Sequence, residues 1–172
     1  MTTVARLLEL PRRPRVVLDI KGLLTHSYFS GKDLEQVRDN EGYKTNPAGY
    51  GLQVFIERYL KQILDGFAPI DIIAVWDGGN AYRKSIFPGY KASRSKEKTG
   101  LAALQEQELN KLYKYAKLIL AHIGSINMNV EGVEADDVIA MLVEKLPGNI
   151  MLYTVDQDLM QLASDRVVVS FR

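Results

Sequence analysis

The stretch Gly132-Val133-Glu134-Ala135-Asp136-Asp137-Val138-Ile139-Ala140-Met141-Leu142 reads as the opening of a half-buried helix. Its apolar residues Ala135, Val138, Ile139, Leu142, Val143 and Leu146 follow the i, i+3, i+4, i+7 spacing of one helix face. Glu134, Asp136 and Asp137 crowd the first turn. One acid there is explained by the positive end of the helix dipole. Three within four residues repel one another, and a bound cation would relieve that repulsion. On this stretch alone, capping and a metal site both remain open.

The segments on either side decide how the helix is placed. Val16-Val17-Leu18 is a short apolar run that stops at Asp19, and Asp71-Ile72-Ile73-Ala74-Val75-Trp76 stops at Asp77. Ile150-Met151-Leu152-Tyr153-Thr154-Val155 runs into Asp156-Gln157-Asp158. Each reads as a buried strand closing on an acid, with Trp76 in the core. Between them lie helical patterns. One runs from Pro47 to Phe67 on Leu52, Phe55, Ile56, Tyr59, Leu60, Ile63 and Leu64. A second runs from Leu101 to Ile123 on Leu109, Leu112, Tyr113, Ala116, Ile119, Leu120 and Ile123, with Gly124 suited to its C-terminal cap. Leu159, Leu162 and Ala163 suggest a short helix, and Val167-Val168-Val169 a last strand. Residues 30–46 read as a surface loop, and His26 as a hydrogen-bonded structural residue.

Strands alternating with helices predict an α/β fold with a mostly parallel central sheet and helices on both faces. In such a sheet the strands' C-terminal ends share one edge, where ligands bind. Connectivity therefore draws Asp19, Asp77, Glu134, Asp136, Asp137, Asp156 and Asp158 towards one rim. Singly, Asp19, Asp77 or the pair Asp156 and Asp158 could cap a following helix or turn. Together, their repulsion at low dielectric is a large cost that capping does not relieve. Oxygen-only donors favour Mg²⁺ or Mn²⁺. Seven carboxylates exceed the needs of one such ion, so two ions are expected, about 3.5–4 Å apart, as used in phosphodiester hydrolysis.

Composition narrows the classes further. There are no cysteines, which removes disulfides and thiolate metal sites. No apolar run approaches the roughly 20 residues of a membrane span, and the N-terminus lacks the apolar core of a secretory signal, so a cytoplasmic protein is expected. Residues 1–14, with Pro11-Arg12-Arg13-Pro14, read as a basic leader ahead of one domain over 15–172. The net charge is only +1, so any polyanion contact must come from local segregation of charge. That segregation lies in residues 78–100, where Arg83, Lys84, Lys91, Arg94, Lys96 and Lys98 face a single acid, Glu97, among Tyr82, Phe87 and Tyr90. Such a run can be a solvated loop. Set directly after a strand-end acid, it also suits a nucleic-acid strand, with cations on phosphates and rings on bases. The chain shows no glycine-rich phosphate loop and no nucleophile–histidine pair.

These blocks resemble the 5′–3′ exonuclease and flap endonuclease family, which includes bacteriophage 5′ nucleases and the 5′-nuclease domain of bacterial DNA polymerase I. The matching residues are Val17-Leu18-Asp19 with Leu23, and Val75-Trp76-Asp77 with Arg83 and Phe87-Pro88-Gly89-Tyr90-Lys91-Ala92-Ser93-Arg94. They continue in Gly132 to Ala140 and in Thr154-Val155-Asp156-Gln157-Asp158-Leu159-Met160-Gln161-Leu162. The resemblance implies a PIN-like sheet. It implies that Asp19, Asp77, Glu134 and Asp136 serve a first metal, and Asp137, Asp156 and Asp158 a second. Arg83, Lys91 and Arg94 fall where the family contacts the reacting phosphate, and Tyr90 matches an aromatic that stacks on substrate. Residues from about 83 to 105 would border a helical arch for a 5′ single strand, putting Tyr82, Lys84, Lys96 and Lys98 beside DNA as well. His26 stands where the family usually carries arginine. The chain ends at Arg172, before the family's helix–hairpin–helix region, so a missing C-terminal region or a companion chain is expected to grip the duplex.

The expected activity is that of a divalent-metal-dependent 5′ nuclease hydrolysing DNA at 5′ ends or flap junctions in replication or repair, in a host cytoplasm if the source is a bacteriophage. The rivals are a structure-selective DNA-binding module without turnover, a PIN-type ribonuclease and a small-molecule phosphatase. Clustered acids also imply linkage between ions and folding. Millimolar Mg²⁺ or Mn²⁺ should raise the melting temperature, and a calorimetric scan unmoved by either ion would count against the cluster.

Overall fold

Why the acids meet follows from how the strands are ordered. The computed structural model describes residues 13–30, 37–38, 42, 44–67, 69–91 and 98–171. Strand β1 (Arg15–Asp19) leads without a loop into α1 (Ile20–Phe29). A two-stranded antiparallel ribbon follows, β2 (Val37–Arg38) and β3 (Lys44–Thr45). Next come α2 (Ala48–Phe55), a π-helical turn (Ile56–Leu60) and α3 (Lys61–Phe67). Strand β4 (Ile72–Trp76), the short α4 (Ala81–Ile86) and the long α5 (Leu101–His122) succeed them. The chain closes with β5 (Ile126–Asn129), α6 (Ala135–Lys145), β6 (Ile150–Thr154), a 3₁₀ helix (Gln157–Leu162) and β7 (Val167–Phe171).

The main sheet is parallel throughout, in the order β5-β4-β1-β6-β7. The chain builds outward from β1 to β4 and β5 on one side, then crosses back to β6 and β7 on the other. The crevice beyond the end of β1 is therefore the point where strand order reverses, the place at which open α/β sheets bind ligands. Strands β1 and β6 are buried along almost their whole length, which explains their continuous apolar runs.

Helices cover both faces. On one, α1, α2, the π turn and α5 pack Leu24, Tyr28, Phe55, Tyr59, Leu112 and Leu120 against Val16, Leu18 and Ala74. On the other, Val138, Ile139 and Leu142 of α6 pack against Val17, Val75 and Leu152. The helical stripes read in sequence do this packing, with a difference on α5. Its buried face includes Glu108, and Ile123 at its end is 36% exposed. Glu108 is buried because Pro47, which precedes α2, has no side chain able to cap it. The Glu108 carboxylate supplies the missing acceptor, taking the Ala48 N–H at 2.9 Å and pairing with Lys111.

Three other expectations are corrected or limited. Residues 30–46 contain the β2–β3 ribbon, whose Thr45 is buried and bonded to Tyr28. The helix from Pro47 to Phe67 is not uniform but carries the π turn. Trp76 is only partly buried and meets a cleft. Residues 1–12 of the leader, with Arg94 and Lys96, lie outside the described residues. Among the described residues no helix is long and apolar enough to cross a membrane.

Replacing Glu108 with Ala removes a buried charged acceptor and leaves the α2 terminus uncapped. It should cost about 1–3 kcal/mol in urea denaturation, with Glu108→Gln recovering part of the loss.

Candidate metal centre and nucleic-acid interface

Parallel register aligns the strand ends. Asp19 is paired with Val75, so Asp77 lies two residues further along the neighbouring strand. Leu18 is paired with Tyr153, which sets Thr154 level with Asp19 and Asp156 just beyond. A pocket of about 700 Å³ opens over these ends. Its acids are Asp19, Asp77, Glu134, Asp136, Asp156 and Asp158, and Lys21, Lys91 and His26 also line it. Six of the seven predicted acids thus share one pocket.

Capping and pocket-lining prove compatible, because a carboxylate has two oxygens. Asp19 caps α1 through Oδ1, which accepts the Gly22 N–H at 3.3 Å, while Oδ2 accepts from Thr154 Oγ1 at 2.8 Å. A Cβ on Gly22 would come within 2.5 Å of that Oδ2, so the turn requires glycine. Thr154 in turn accepts the Asp156 N–H at 2.9 Å, and Asp156 Oδ1 accepts the Asp158 N–H at 2.9 Å. Asp77 Oδ1 accepts the Gly79 N–H at 3.0 Å, while Oδ2 pairs with Lys21.

Glu134 reaches the same rim because two loops are clasped together. Gly132 donates to the Gly78 carbonyl at 2.7 Å, and Gly78 donates to the Val133 carbonyl at 3.1 Å. A Cβ at Gly78 would lie 1.8 Å from the Val130 carbonyl oxygen, so no other residue permits this approach. Glu134 is buried, accepting from Lys91 Nζ at 2.6 Å and Tyr90 Oη at 2.8 Å, with Arg83 Nη1 at 3.2 Å. Lys91 takes this position with a left-handed backbone, φ 51°.

Asp137 departs from the expected ligand set. Arg83 grips both its oxygens, Nε to Oδ2 at 3.0 Å and Nη2 to Oδ1 at 2.6 Å, and it is not among the residues lining the pocket. Asp136 and Asp137 are adjacent on α6 and point about 100° apart, and here Asp136 lines the pocket while Asp137 is turned to Arg83. The same Arg83 donates to Tyr90 Oη at 2.7 Å, joining Asp137, Arg83, Tyr90, Glu134 and Lys91 in one network.

The electrostatics divide the acids into two groups. Burial would raise Glu134, but Lys91, Tyr90 and Arg83 outweigh it and hold its pKa down. Burial likewise opposes Asp77, and Lys21 together with the Gly79 N–H lowers it on balance. Asp19 is pushed up by burial, which the bonds from Thr154 and Gly22 only partly offset. Asp136 is pushed up by burial and then by repulsion from Asp19, Asp156 and Glu134. Lys91 is raised by its bond to Glu134, and Arg83 by its bond to Asp137.

The donor set suits a hard cation: every acid offers oxygen, and the pocket holds six carboxylates against two lysines. As the side chains stand, however, no three acidic or histidine groups among the described residues are arranged to hold an ion. Lys91 and Lys21 occupy Glu134 and Asp77 instead.

Of the predicted DNA-facing residues, Tyr82 is 60% exposed on α4 and Lys84 is exposed beside it. Tyr90 lies under two cations, Arg83 at 5.4 Å and Lys91 at 5.0 Å from its ring centroid. Lys98 pairs with Glu106 at 2.9 Å. Sequence reasoning missed Thr154 and Lys21. Thr154 ends a strand beside two acids, a signal that was present; nothing local marked Lys21.

Known proteins match this chain along most of its length. The family model for the 5′-3′ exonuclease N-terminal resolvase-like domain matches residues 14–171. A 5′-3′ exonuclease of Bacillus subtilis (strain 168) is 30% identical over 159 residues, covering 90% of this chain and 49% of that protein. The chain spans about half the length of such relatives. A solved structure of T5 5′-exonuclease with bound zinc aligns with TM-score 0.64 at 21% identity, covering 90% of this chain and 54% of that one. The bacteriophage T5 flap endonuclease, solved as a pseudo-enzyme-product complex with DNA and metal ions, aligns with TM-score 0.65 at 20% identity, over 91% and 54%.

The raised Asp19 and Asp136 set a sign for pH dependence. A folded-state pKa above the unfolded value adds stability below the unfolded pKa and loses it as pH rises through the folded one. In EDTA, Asp136→Asn should therefore melt above wild type at pH 7, and the gap should narrow as pH falls towards 4. An equal difference at both pH values would show that Asp136 is not strained by its neighbours.

Proposed function

Because the chain belongs to the 5′-3′ exonuclease family through its N-terminal resolvase-like domain, we propose that it is a divalent-metal-dependent 5′ nuclease domain. It hydrolyses DNA phosphodiesters at 5′ ends or flap junctions. The carrying observation is the pocket at the reversal point of the sheet, where six carboxylates from four separate segments meet beside Lys91, Arg83 and Tyr90.

In this reading Asp19, Asp77, Glu134 and Asp136 hold one Mg²⁺ or Mn²⁺, and Asp156 and Asp158 contribute to a second. Such ions, when bound, supply Lewis acidity towards the attacking water and the departing 3′ oxygen. Thr154 orients Asp19 by donating to one of its oxygens. Lys91 lines the pocket and Arg83, on α4, lies 3.2 Å from Glu134; with Arg94 they are the cations for the scissile phosphate. Lys91 reaches that phosphate once Glu134 is otherwise neutralised. Asp137 acts through Arg83, fixing the guanidinium in a two-bond grip that a lysine could not reproduce. Tyr82, Lys84, Tyr90, Lys96 and Lys98 contact the DNA strand. The chain spans about half the length of the relatives it matches, and a further C-terminal region or a companion chain is proposed to hold the duplex.

One observation favours a second reading, a structure-selective DNA-binding module: lysines, rather than a ready-made ligand set, occupy Glu134 and Asp77. End-labelled flap DNA with Mg²⁺ or Mn²⁺ separates the two. Asp136→Ala should cut at least about a hundredfold more slowly than wild type, the scale expected when transition-state charge stabilisation is lost. Equal cleavage by both proteins would overturn the nuclease reading. Binding without any metal-stimulated cleavage would establish the module, and preference for an RNA strand would establish a ribonuclease.

A further inference from the structure

Beyond Asp77, on the side away from the acidic pocket, lies a second cleft of about 380 Å³, within the range of small-ligand sites. Its walls are aromatic and its rim is cationic: Trp76 and Tyr113 line it, with Lys21, Lys117 and Asn129 around them. Lys21 and Asp77 belong to both cavities, so the two adjoin across that ion pair.

The aromatic surfaces are held in place. Trp76 Nε1 donates to Asn127 Oδ1 at 2.8 Å, and Asn127 is itself fixed by Ser125 through two bonds of 3.3 Å. Tyr113 Oη lies 3.3 Å from Thr25 Oγ1. One part of the indole packs on the core, while the exposed Lys117 lies 5.8 Å from its centroid. A tryptophan serving only the core needs neither a cleft beside it nor an ammonium over its ring. A rigid indole with a displaceable cation above it matches a nucleotide: the base takes the ring face and the cations take the phosphate. The Asp77 carboxylate, which would repel that phosphate, is already paired with Lys21.

We propose that this cleft binds one nucleotide unit, its base on Trp76 and its phosphate between Lys117 and Lys21. The unit is either a residue of the DNA strand leaving the acidic pocket or a released mononucleotide. The choice of ligand class rests on the nuclease reading; the aromatic and cationic geometry does not.

Trp76 is the only tryptophan in the chain, so its emission reports this cleft directly. The full chain in EDTA, where metal-dependent cleavage is off, is titrated with thymidine 5′-monophosphate, with a thymidine tetranucleotide, and with an abasic tetranucleotide. Saturable quenching by the base-bearing ligands and none by the abasic chain is expected. Lys117→Gln, a substitution of an exposed side chain, should weaken binding by about fivefold or more, as loss of one charged hydrogen bond to the phosphate would. A tetranucleotide bound much more tightly than the mononucleotide identifies the substrate strand; equal affinity identifies a product site. No saturable quenching, an equal response to the abasic chain, or an unchanged affinity in Lys117→Gln each overturns the proposal. Trp76→Leu, checked for fold by circular dichroism, gives a second reading through anisotropy of a fluorescein-labelled tetranucleotide, and unchanged binding there also overturns it. Flap cleavage measured on the same preparations keeps the two ideas apart. Quenching without cleavage sinks only the nuclease assignment, and cleavage without quenching sinks only the cleft.

Discussion

Like charge confined at the end of a parallel sheet is the constraint on which the rest of this structure depends. Backbone pairing sets β1, β4 and β6 side by side in the same direction, and acids at or just past their ends must then lie close together. The repulsion is felt unequally. Glu134 and Asp77 are quieted by Lys91 and Lys21, whereas Asp136 has three acids acting on it and is pushed up, after burial, by each of them. A fold selected only for stability would have no reason to concentrate charge where it cannot be fully balanced.

Small residues and single bonds hold this arrangement in register. Gly78 allows the loop after β4 to touch the loop before α6 closely enough to share backbone hydrogen bonds, which brings Glu134 to the rim. Gly22 leaves room for Asp19 at the first turn of α1. Thr154 connects Asp19 to Asp156 through one hydroxyl, so the ends of two adjacent strands move together. On the outer side, Arg83 ties α4 to α6 through Asp137 and Tyr90, linking the basic segment to the acidic helix.

The basic segment thus has two connections to the pocket. Lys91 is bonded directly to Glu134, and Arg83 reaches it both through Tyr90 and at 3.2 Å. These two cations are held by a carboxylate of the pocket itself. Glu134 is thus shared by Lys91 and Arg83, and neither cation can move without changing the charge balance around the other.

The linear chain by itself determined the class of fold and the convergence of the acids. Apolar runs of strand length alternating with helical stripes admit a parallel sheet, and such a sheet has a single C-terminal edge. At that edge Asp19, Asp77, Glu134, Asp136, Asp156 and Asp158 share one pocket. Only the tertiary structure decided which neighbour turns in and which turns out, because rotation along α6 separates Asp136 from Asp137 and side-chain partners far apart in sequence settle the rest. It alone showed that Glu108 is buried as a cap for a helix begun by proline, and that Trp76 meets a cleft as well as packing on the core. Periodicity reports which face of an element is apolar. It carries no information about the one contact, often 50 or more residues away, that gives a polar side chain its role.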